Sequence, residues 1–357
     1  MKKSVIAIIA AAVVLVAFLG GFLLGRGDHK EPSDVSTVQD SAPEVTPEDT
    51  DAPNETPNPS GAEEIDEALI PILPEITAPE PEIEEPEEDD SLTIVFFGDS
   101  QFENGGDNKT DIPHLVHDYI NARVLNLGAG GTCAALVQND SNDLENWDNL
   151  SFYGMTLMLE GTASRGVLEG KHQLTVMEAI DPARVDYYVI SYGINDFLNG
   201  VRNHISGEES NPRTYFGALT LGINNLKKIS PQAQVIVCSP TYTQFFNSAG
   251  HYIGDSHIHD YGIGVFDEYA NQAGHVANNT HSLFLDAAFD TMIDINGYTA
   301  RDYLMDGIHL TEKGRQAYAL ALSYIIARDR GWTDRQIEQI EINNLDANRE
   351  FLSDIPR

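Results

Sequence analysis

The sequence of 357 residues predicts an α/β protein, a three-layer α/β/α sandwich built around a parallel sheet of five strands. Short runs of β-branched and aromatic residues recur along residues 91–330, and each run ends at a glycine or a polar residue, as buried parallel strands do. Segments with helical periodicity separate these runs. Only two cysteines occur, Cys133 and Cys238, so no disulfide framework is expected and both are predicted to be buried free thiols.

The chain begins with an apolar segment that predicts a membrane anchor in residues 1–27. Residues 4–25 contain no charge and would span roughly 33 Å as a helix, enough to cross a bilayer. Lys2 and Lys3 precede this segment, which favours a cytoplasmic N-terminus and an extracytoplasmic remainder. Cleavage of the segment as a secretory signal, which would release the protein, is the alternative.

Residues 28–90 predict a disordered acidic, proline-rich linker. They contain 22 acidic residues against the single base Lys30, together with 11 of the 17 prolines. Such a segment buries too little apolar surface to fold, and repulsion between like charges keeps it extended. The net charge of −35 also argues against binding to nucleic acid or to anionic lipid headgroups, so membrane contact is expected through residues 4–25 only.

Five strands and several helices are predicted within a catalytic domain at residues 91–330. The strands are 92–97, 123–127, 185–190, 234–238 and 282–286. The helices are 112–120, a segment after the glycine turn 128–131, a segment ending at Ile180, 212–229, 265–278 and 311–328. Residues 144–170 show no clear pattern, 242–264 are expected to be a polar insertion covering the cleft, and 331–357 a helical C-terminal tail.

Chemically suggestive residues stand where the predicted strands end. Ser100 follows the first strand, the glycine turn 128–131 follows the second, and Asn195 follows the third, while Asp306 and His309 precede the last helix. In open α/β sheets, ligands bind at the carboxyl ends of the strands. A serine needs an imidazole to take its proton, the imidazole needs a carboxylate to orient it, and the tetrahedral intermediate needs hydrogen-bond donors. The alternative for Ser100 is a plain helix cap.

Four sequence blocks occur in order along the chain: Gly98-Asp99-Ser100, Asn126-Leu127-Gly128-Ala129-Gly130-Gly131, Gly193-Ile194-Asn195-Asp196 and Asp306-Gly307-Ile308-His309. Together they resemble the blocks of the SGNH family of serine hydrolases, also called GDSL esterases and lipases. Directly after the first block, Gln101 stands where lipase-like members often carry leucine.

The resemblance implies a flavodoxin-like SGNH hydrolase fold and assigns a role to each residue. Ser100 would be the nucleophile, His309 the general base and then acid, and Asp306 the residue that orients His309. Ser100, Gly128 and Asn195 would form the oxyanion hole. No cofactor is implied, because nucleophile, base and donors are all protein groups.

We therefore expect a membrane-tethered extracytoplasmic serine esterase that hydrolyses O-acyl esters, with acetyl expected, on a carbohydrate or cell-wall polymer. Two alternatives stay open, an O-acyltransferase that uses the same triad on a glycan acceptor and an inactive glycan-binding module. A second Gly-Asp-Ser at 254–256 follows no apolar strand, so we interpret it as coincidence. The nearby His251, His257 and His259 fit no metal-ligand spacing, and no metal site is predicted.

Overall fold

The computed structural model describes residues 91–137, 150–289 and 292–335. The predicted anchor at 1–27, the predicted linker at 28–90 and the predicted C-terminal tail beyond Arg335 lie outside the described residues. Among the helices that are described, none is long and apolar enough to cross a membrane.

The strands form one parallel sheet and one small hairpin. The described residues contain the strands β1 Thr93–Gly98, β2 Arg123–Asn126, β3 Tyr187–Ser191, β4 Gln234–Cys238, β5 Gln244–Phe246, β6 Tyr252–Asp255 and β7 Leu283–Leu285. The sheet has the order β2-β1-β3-β4-β7, and every pairing in it is parallel. This confirms the predicted five-stranded parallel sheet, whose order is that of a flavodoxin-like doubly wound fold.

Helices pack on both faces of this sheet. In the described residues they are α1 Ser100–Glu103, α2 Ile112–Ile120, α3 Phe152–Glu160, α4 His172–Glu178, α5 Ile194–Leu198, α6 Tyr215–Ile229, α7 Asp267–Asn279, α8 Ala300–Tyr303 and α9 Glu312–Asp329. Helices α2 and α9 share one apolar core, and α3, α6 and α7 share the other.

Strand β1, which lies between β2 and β3, contributes to both cores because successive side chains of a strand point to opposite faces. Ile94 and Phe96 belong to the core beneath α2 and α9. Val95 and Phe97 belong to the core beneath α3, α6 and α7. All four side chains are fully buried, which explains why this strand reads as a continuous apolar run.

Two predicted helices differ from the structure for identifiable reasons. The helix predicted from residue 212 begins at Tyr215, because the Thr214 hydroxyl accepts the N–H of Gly217 and caps the helix there. The helix predicted directly after the glycine turn is wrong. The N–H groups of Ala134 and Ala135 donate to the carboxylate of Asp196 at 2.9 and 3.0 Å, so this segment is held against α5 instead.

The insertion at 242–264 is more ordered and more apolar than the polar cover predicted for it. Strands β5 and β6 pair as an antiparallel hairpin. Phe245 is buried, and its ring centroid lies 5.5 Å from that of Phe197 on α5. The N–H of Gln244 donates to the carbonyl of Gly307 at 2.8 Å, so the hairpin is attached to the loop that contains Asp306 and His309.

Candidate active site

Ser100 is the first residue of α1, just beyond the carboxyl end of strand β1. Asp99 caps this helix, and its carboxylate accepts the N–H of Gln101 at 2.9 Å. Gly98 must be a glycine, because a Cβ there would lie 2.4 Å from the ring of Phe102. The tight turn from β1 into α1 therefore presents the Ser100 hydroxyl at the edge where ligands bind in doubly wound folds.

The structure brings the three predicted triad residues into one chain of hydrogen bonds. The Ser100 hydroxyl oxygen lies 2.9 Å from Nε2 of His309, and Nδ1 of His309 lies 2.7 Å from a carboxylate oxygen of Asp306. With a proton on Nδ1, the ring donates to Asp306 and its Nε2 can accept the serine proton. This is the arrangement that activates a serine hydroxyl.

The Asp306–His309 pair is organised within its own loop. The second carboxylate oxygen of Asp306 accepts the N–H of Ile308 at 3.0 Å and that of His309 at 2.9 Å. Gly307 has φ of +92°, a conformation that favours glycine, and this allows the tight turn between the two side chains. The N–H of Met305 donates to the carbonyl of His309 at 2.8 Å and closes the loop.

The two ionisable groups of this loop shift each other's pKa. Partial burial opposes ionisation of Asp306, but the hydrogen bonds from the His309 ring and from two backbone N–H groups lower its pKa to about 2. The hydrogen bond to Asp306 raises the pKa of His309, although partial burial acts in the opposite direction. Asp306 is therefore charged at neutral pH, and His309 is a stronger base than a free imidazole.

Asn195 lies on α5, after β3, and its side-chain amide faces the same region. The amide nitrogen donates to the carbonyl of Thr132 at 3.0 Å and lies 3.4 Å from the Asp99 carboxylate. The residue is largely buried. The 3.4 Å contact is long for a hydrogen bond, so the bond to Thr132 is the stronger of the two.

Gly128, the predicted backbone donor, already has an acceptor. Its N–H donates to the side-chain oxygen of Asn126 at 2.8 Å. The N–H of Ala129 donates to Gly98, and that of Gly130 to the carboxylate of Glu103. Among the four residues of the turn, the N–H of Gly131 alone has no acceptor within the described part of the chain.

The glycine turn passes beside the nucleophile at Gly130. A Cβ on Gly130 would lie 3.7 Å from the Cβ of Ser100. The resemblance to the family had assigned the backbone donor of this turn to Gly128. The asparagine two positions earlier was a usable signal, because such side chains often bond the backbone two residues on.

Two buried carboxyl groups lie beneath the site. Burial raises the pKa of Asp99 to about 6, although the N–H of Gln101 favours the charged form. Burial raises the pKa of Asp196 to about 7, against the two N–H groups of Ala134 and Ala135 that favour its charged form. Through these two bonds Asp196 orders the segment that follows the Thr132 carbonyl.

The other chemically suggestive residues lie apart from this site. In the second Gly-Asp-Ser, Asp255 accepts the hydroxyls of Tyr242 and Tyr252, and the Ser256 hydroxyl is buried. His257 pairs with Asp267. Within the described ranges, no group of histidine, cysteine or carboxylate side chains is arranged to hold a metal ion. Both cysteines are buried free thiols, as predicted.

The comparisons with known proteins agree with this architecture. The profile of the GDSL-like lipase/acylhydrolase family matches residues 96–317, which include all four sequence blocks. A search of curated proteins found no match.

Several solved structures are similar in fold. One crystal structure shares 20% identity, covers 67% of this chain and 97% of its own, and gives a TM-score of 0.51. A possible lipase from Chitinophaga pinensis DSM 2588 shares 16% identity over 68% of this chain and 100% of its own, with a TM-score of 0.46. An active-site mutant of a family two carbohydrate esterase from Clostridium thermocellum shares 15% identity. The match covers 68% of this chain and 65% of its own, with a TM-score of 0.41.

At such identities a structural likeness shows the fold alone, whereas the family profile extends over most of the described chain. The chain belongs to the GDSL-like lipase/acylhydrolase family of ester-hydrolysing enzymes.

Proposed function

We propose that this enzyme is an extracytoplasmic serine esterase, tethered to the membrane by residues 4–25, that hydrolyses O-acyl esters on a carbohydrate or cell-wall polymer. The observation that carries the chemistry is the hydrogen-bond chain from Ser100 through His309 to Asp306. An imidazole 2.9 Å from a serine hydroxyl, and oriented by a carboxylate, is the arrangement that nucleophilic catalysis by serine requires.

The reaction then proceeds in two half-reactions. Nε2 of His309 takes the Ser100 proton as Oγ bonds to the ester carbonyl carbon, and the tetrahedral intermediate collapses when His309 returns this proton to the leaving alcohol oxygen. Water, deprotonated by the same nitrogen, next attacks the acyl-enzyme, and the second tetrahedral intermediate collapses when His309 returns the proton to Oγ of Ser100, which releases the acid and the free serine. Asp306 stays ionised and stabilises the imidazolium that forms in both steps.

The oxyanion hole combines Ser100, Asn195 and the glycine turn. The N–H of Ser100 lies at the start of α1, where helix N–H groups lack an intrahelical acceptor. The Asn195 amide supplies a second donor. For the turn we place the third donor at Gly131, because the N–H of Gly128 is occupied by Asn126. Each such donor stabilises the developing charge more than it stabilises the ground state.

Aromatic rings beside His309 support a carbohydrate as the alcohol portion. The ring of Phe246 lies against Gly307 in the catalytic loop and is 41% exposed. Tyr252 is 50% exposed, and its ring stands edge-on to that of Phe246 at 6.0 Å. Aromatic side chains with few polar neighbours are typical linings of binding sites, and sugar rings stack on them.

The proposed extracytoplasmic location rests on the sequence alone. The apolar segment at 4–25 would hold the chain in the membrane, and the acidic residues 28–90 would act as a spacer for a catalytic domain at 91–330. Such a spacer would let the enzyme reach a surface polymer. Cell fractionation and protease added outside intact cells test this, because an extracytoplasmic domain is digested without lysis.

A substrate comparison with the full-length protein in membranes tests the proposed specificity. We expect release of acetate from acetylated xylan and from p-nitrophenyl acetate, with little action on octanoate esters. Cleavage of long-chain lipid esters alone would overturn the proposed substrate. Faster capture of the acyl group by an added glycan than by water would instead make the enzyme an O-acyltransferase.

A further inference from the structure

We infer that Gln101 is a positioning residue that fixes the distance between Ser100 and His309. Its side-chain amide nitrogen donates to the carbonyl of Ile308 at 2.8 Å, and its side-chain oxygen accepts the N–H of Leu310 at 3.2 Å. One side chain thus binds the backbone on both sides of His309. The inference rests on the proposed serine-esterase function and adds a residue to its machinery.

The bonds inside the catalytic loop cannot perform this task. Asp306 binds the ring and the backbone of His309, so these bonds hold His309 relative to Asp306. None of them reaches α1, which contains Ser100. The contact between Ser100 and His309 joins two elements that are far apart in the chain, and it needs a bond that connects those elements.

Gln101 supplies that connection because it follows the nucleophile directly. Its backbone N–H is fixed by the Asp99 carboxylate, and its side chain is 9% exposed. Water therefore competes little for its two hydrogen bonds, and both partners are main-chain groups that cannot turn away. Two other residues also donate hydrogen bonds to carbonyls of this loop, Gln244 on the β5–β6 hairpin to Gly307 and Arg315 on α9 to Leu310.

Glutamine at position 101, where lipase-like members often carry leucine, makes two hydrogen bonds that a leucine could not make. A leucine would fill the same space but would leave the Ile308 carbonyl and the Leu310 N–H without these partners. The glutamine is thus part of how this chain aligns its base with its nucleophile.

The test compares Gln101→Met, which keeps the side-chain length and removes both bonds, with Gln232→Met in the full-length protein. Gln232 also donates to two backbone carbonyls, those of Pro182 and Val185 at 2.8 and 3.2 Å, but at the opposite edge of the sheet. Hydrolysis of p-nitrophenyl acetate and the rate constant for labelling by a serine-reactive phosphonate are measured for both.

For Gln101→Met we expect kcat and the labelling rate constant to fall by roughly 10- to 100-fold, with little change in KM. The pKa of the acidic limb of kcat/KM should not move, because the Asp306–His309 pair is intact. Gln101→Leu also removes both bonds but has a different side-chain shape, so it should show a similar loss, and urea unfolding of both variants shows that the measured protein is folded.

Three results would overturn the inference. These are unchanged kcat in both Gln101 variants, an equal loss in Gln232→Met, and a loss that shifts the acidic pKa and so reflects a disturbed Asp306–His309 pair. Failure of the proposed function looks different, because wild-type protein would then neither hydrolyse the ester nor take up the phosphonate, and both proposals would fall together.

Discussion

The Ser100 hydroxyl oxygen and Nε2 of His309 lie 2.9 Å apart although 209 positions separate the two residues in the sequence. They meet because the loop before α9 lies at the carboxyl end of the parallel strands, where β1 also ends. The contact requires a neutral His309 to take the serine proton, so the protonation state of one ring controls the proposed reaction.

The rate should therefore depend on pH through His309. We expect kcat/KM to rise with pH through an apparent pKa above 6.5, because the hydrogen bond to Asp306 raises the pKa of the imidazole. Asp306→Asn should lower kcat by roughly 100-fold or more and move this pKa downward. A pH–rate profile of both proteins checks this, and an acidic limb that stays in place in Asp306→Asn would contradict it.

Asn195→Ala should lower kcat by about 100- to 1,000-fold with a small effect on KM, because the amide stabilises charge that develops only in the transition state. Asn199→Ala is the matched control. Its amide donates to the carbonyl of Asn195 at 2.8 Å on the same helix, and its loss should leave kcat nearly unchanged. Equal losses in the two variants would show that Asn195 acts through the helix and not through the oxyanion.

Gly307→Ala should both destabilise the protein and reduce activity. The substitution places a Cβ 2.3 Å from the carbonyl oxygen of Gln244 at a φ of +92°. Backbone strain and overpacking together should lower the free energy of unfolding by about 2–5 kcal/mol.

Gly262→Ala separates these two effects. Gly262 has φ of +91° with no atom within 4 Å of the added Cβ, so this variant should lose only about 1–2 kcal/mol from strain and keep its activity. Urea unfolding and ester hydrolysis are measured for both. Equal losses of stability would contradict the close approach of the β5–β6 hairpin to the catalytic loop.

The stability of Asp99→Asn relative to wild type should increase as the pH rises. Burial raises the pKa of Asp99 from 3.8 to about 6 in the folded state, so the folded protein binds more protons than the unfolded chain between these values. Wild-type stability from this group is present in full below the unfolded pKa and is lost as pH rises through about 6.

Relative to wild type, Asp99→Asn should therefore gain up to about 3 kcal/mol in the free energy of unfolding between pH 4 and pH 7. The asparagine oxygen still accepts the N–H of Gln101, which keeps the helix cap. Urea unfolding at the two pH values measures the difference. A difference that does not change with pH would mean that Asp99 titrates alike in the folded and unfolded states.

The main sheet could be predicted because its inner strands β1, β3 and β4 are buried almost throughout and therefore appear as uninterrupted apolar runs. Ser100 and Asn195 each follow a predicted parallel strand, which was enough to place them at one end of the sheet, whereas His309 was added through the resemblance to the family's last block. The sheet and the first two placements are consequences of strand periodicity and topology, which a single sequence records.

The parts that could not be predicted depend on side chains that bind distant backbone. Asp196 takes the N–H groups of residues 134 and 135 and so prevents the helix expected there. The side-chain oxygen of Asn126 accepts the N–H of Gly128, so we place the oxyanion donor at a later residue of the turn. Gln101 was noted only as a departure from leucine, because its two partners at 308 and 310 are distant in the sequence.

The most direct test of the serine-esterase proposal is hydrolysis of p-nitrophenyl acetate by wild-type protein, Ser100→Ala and Ser256→Ala, measured side by side. The matched control removes the serine of the second Gly-Asp-Ser, whose buried hydroxyl has no hydrogen-bond partner in the described part of the chain. We expect full activity in wild type and Ser256→Ala, and loss of nearly all activity in Ser100→Ala. Activity that survives in folded Ser100→Ala would contradict Ser100 as the nucleophile and the proposed mechanism with it.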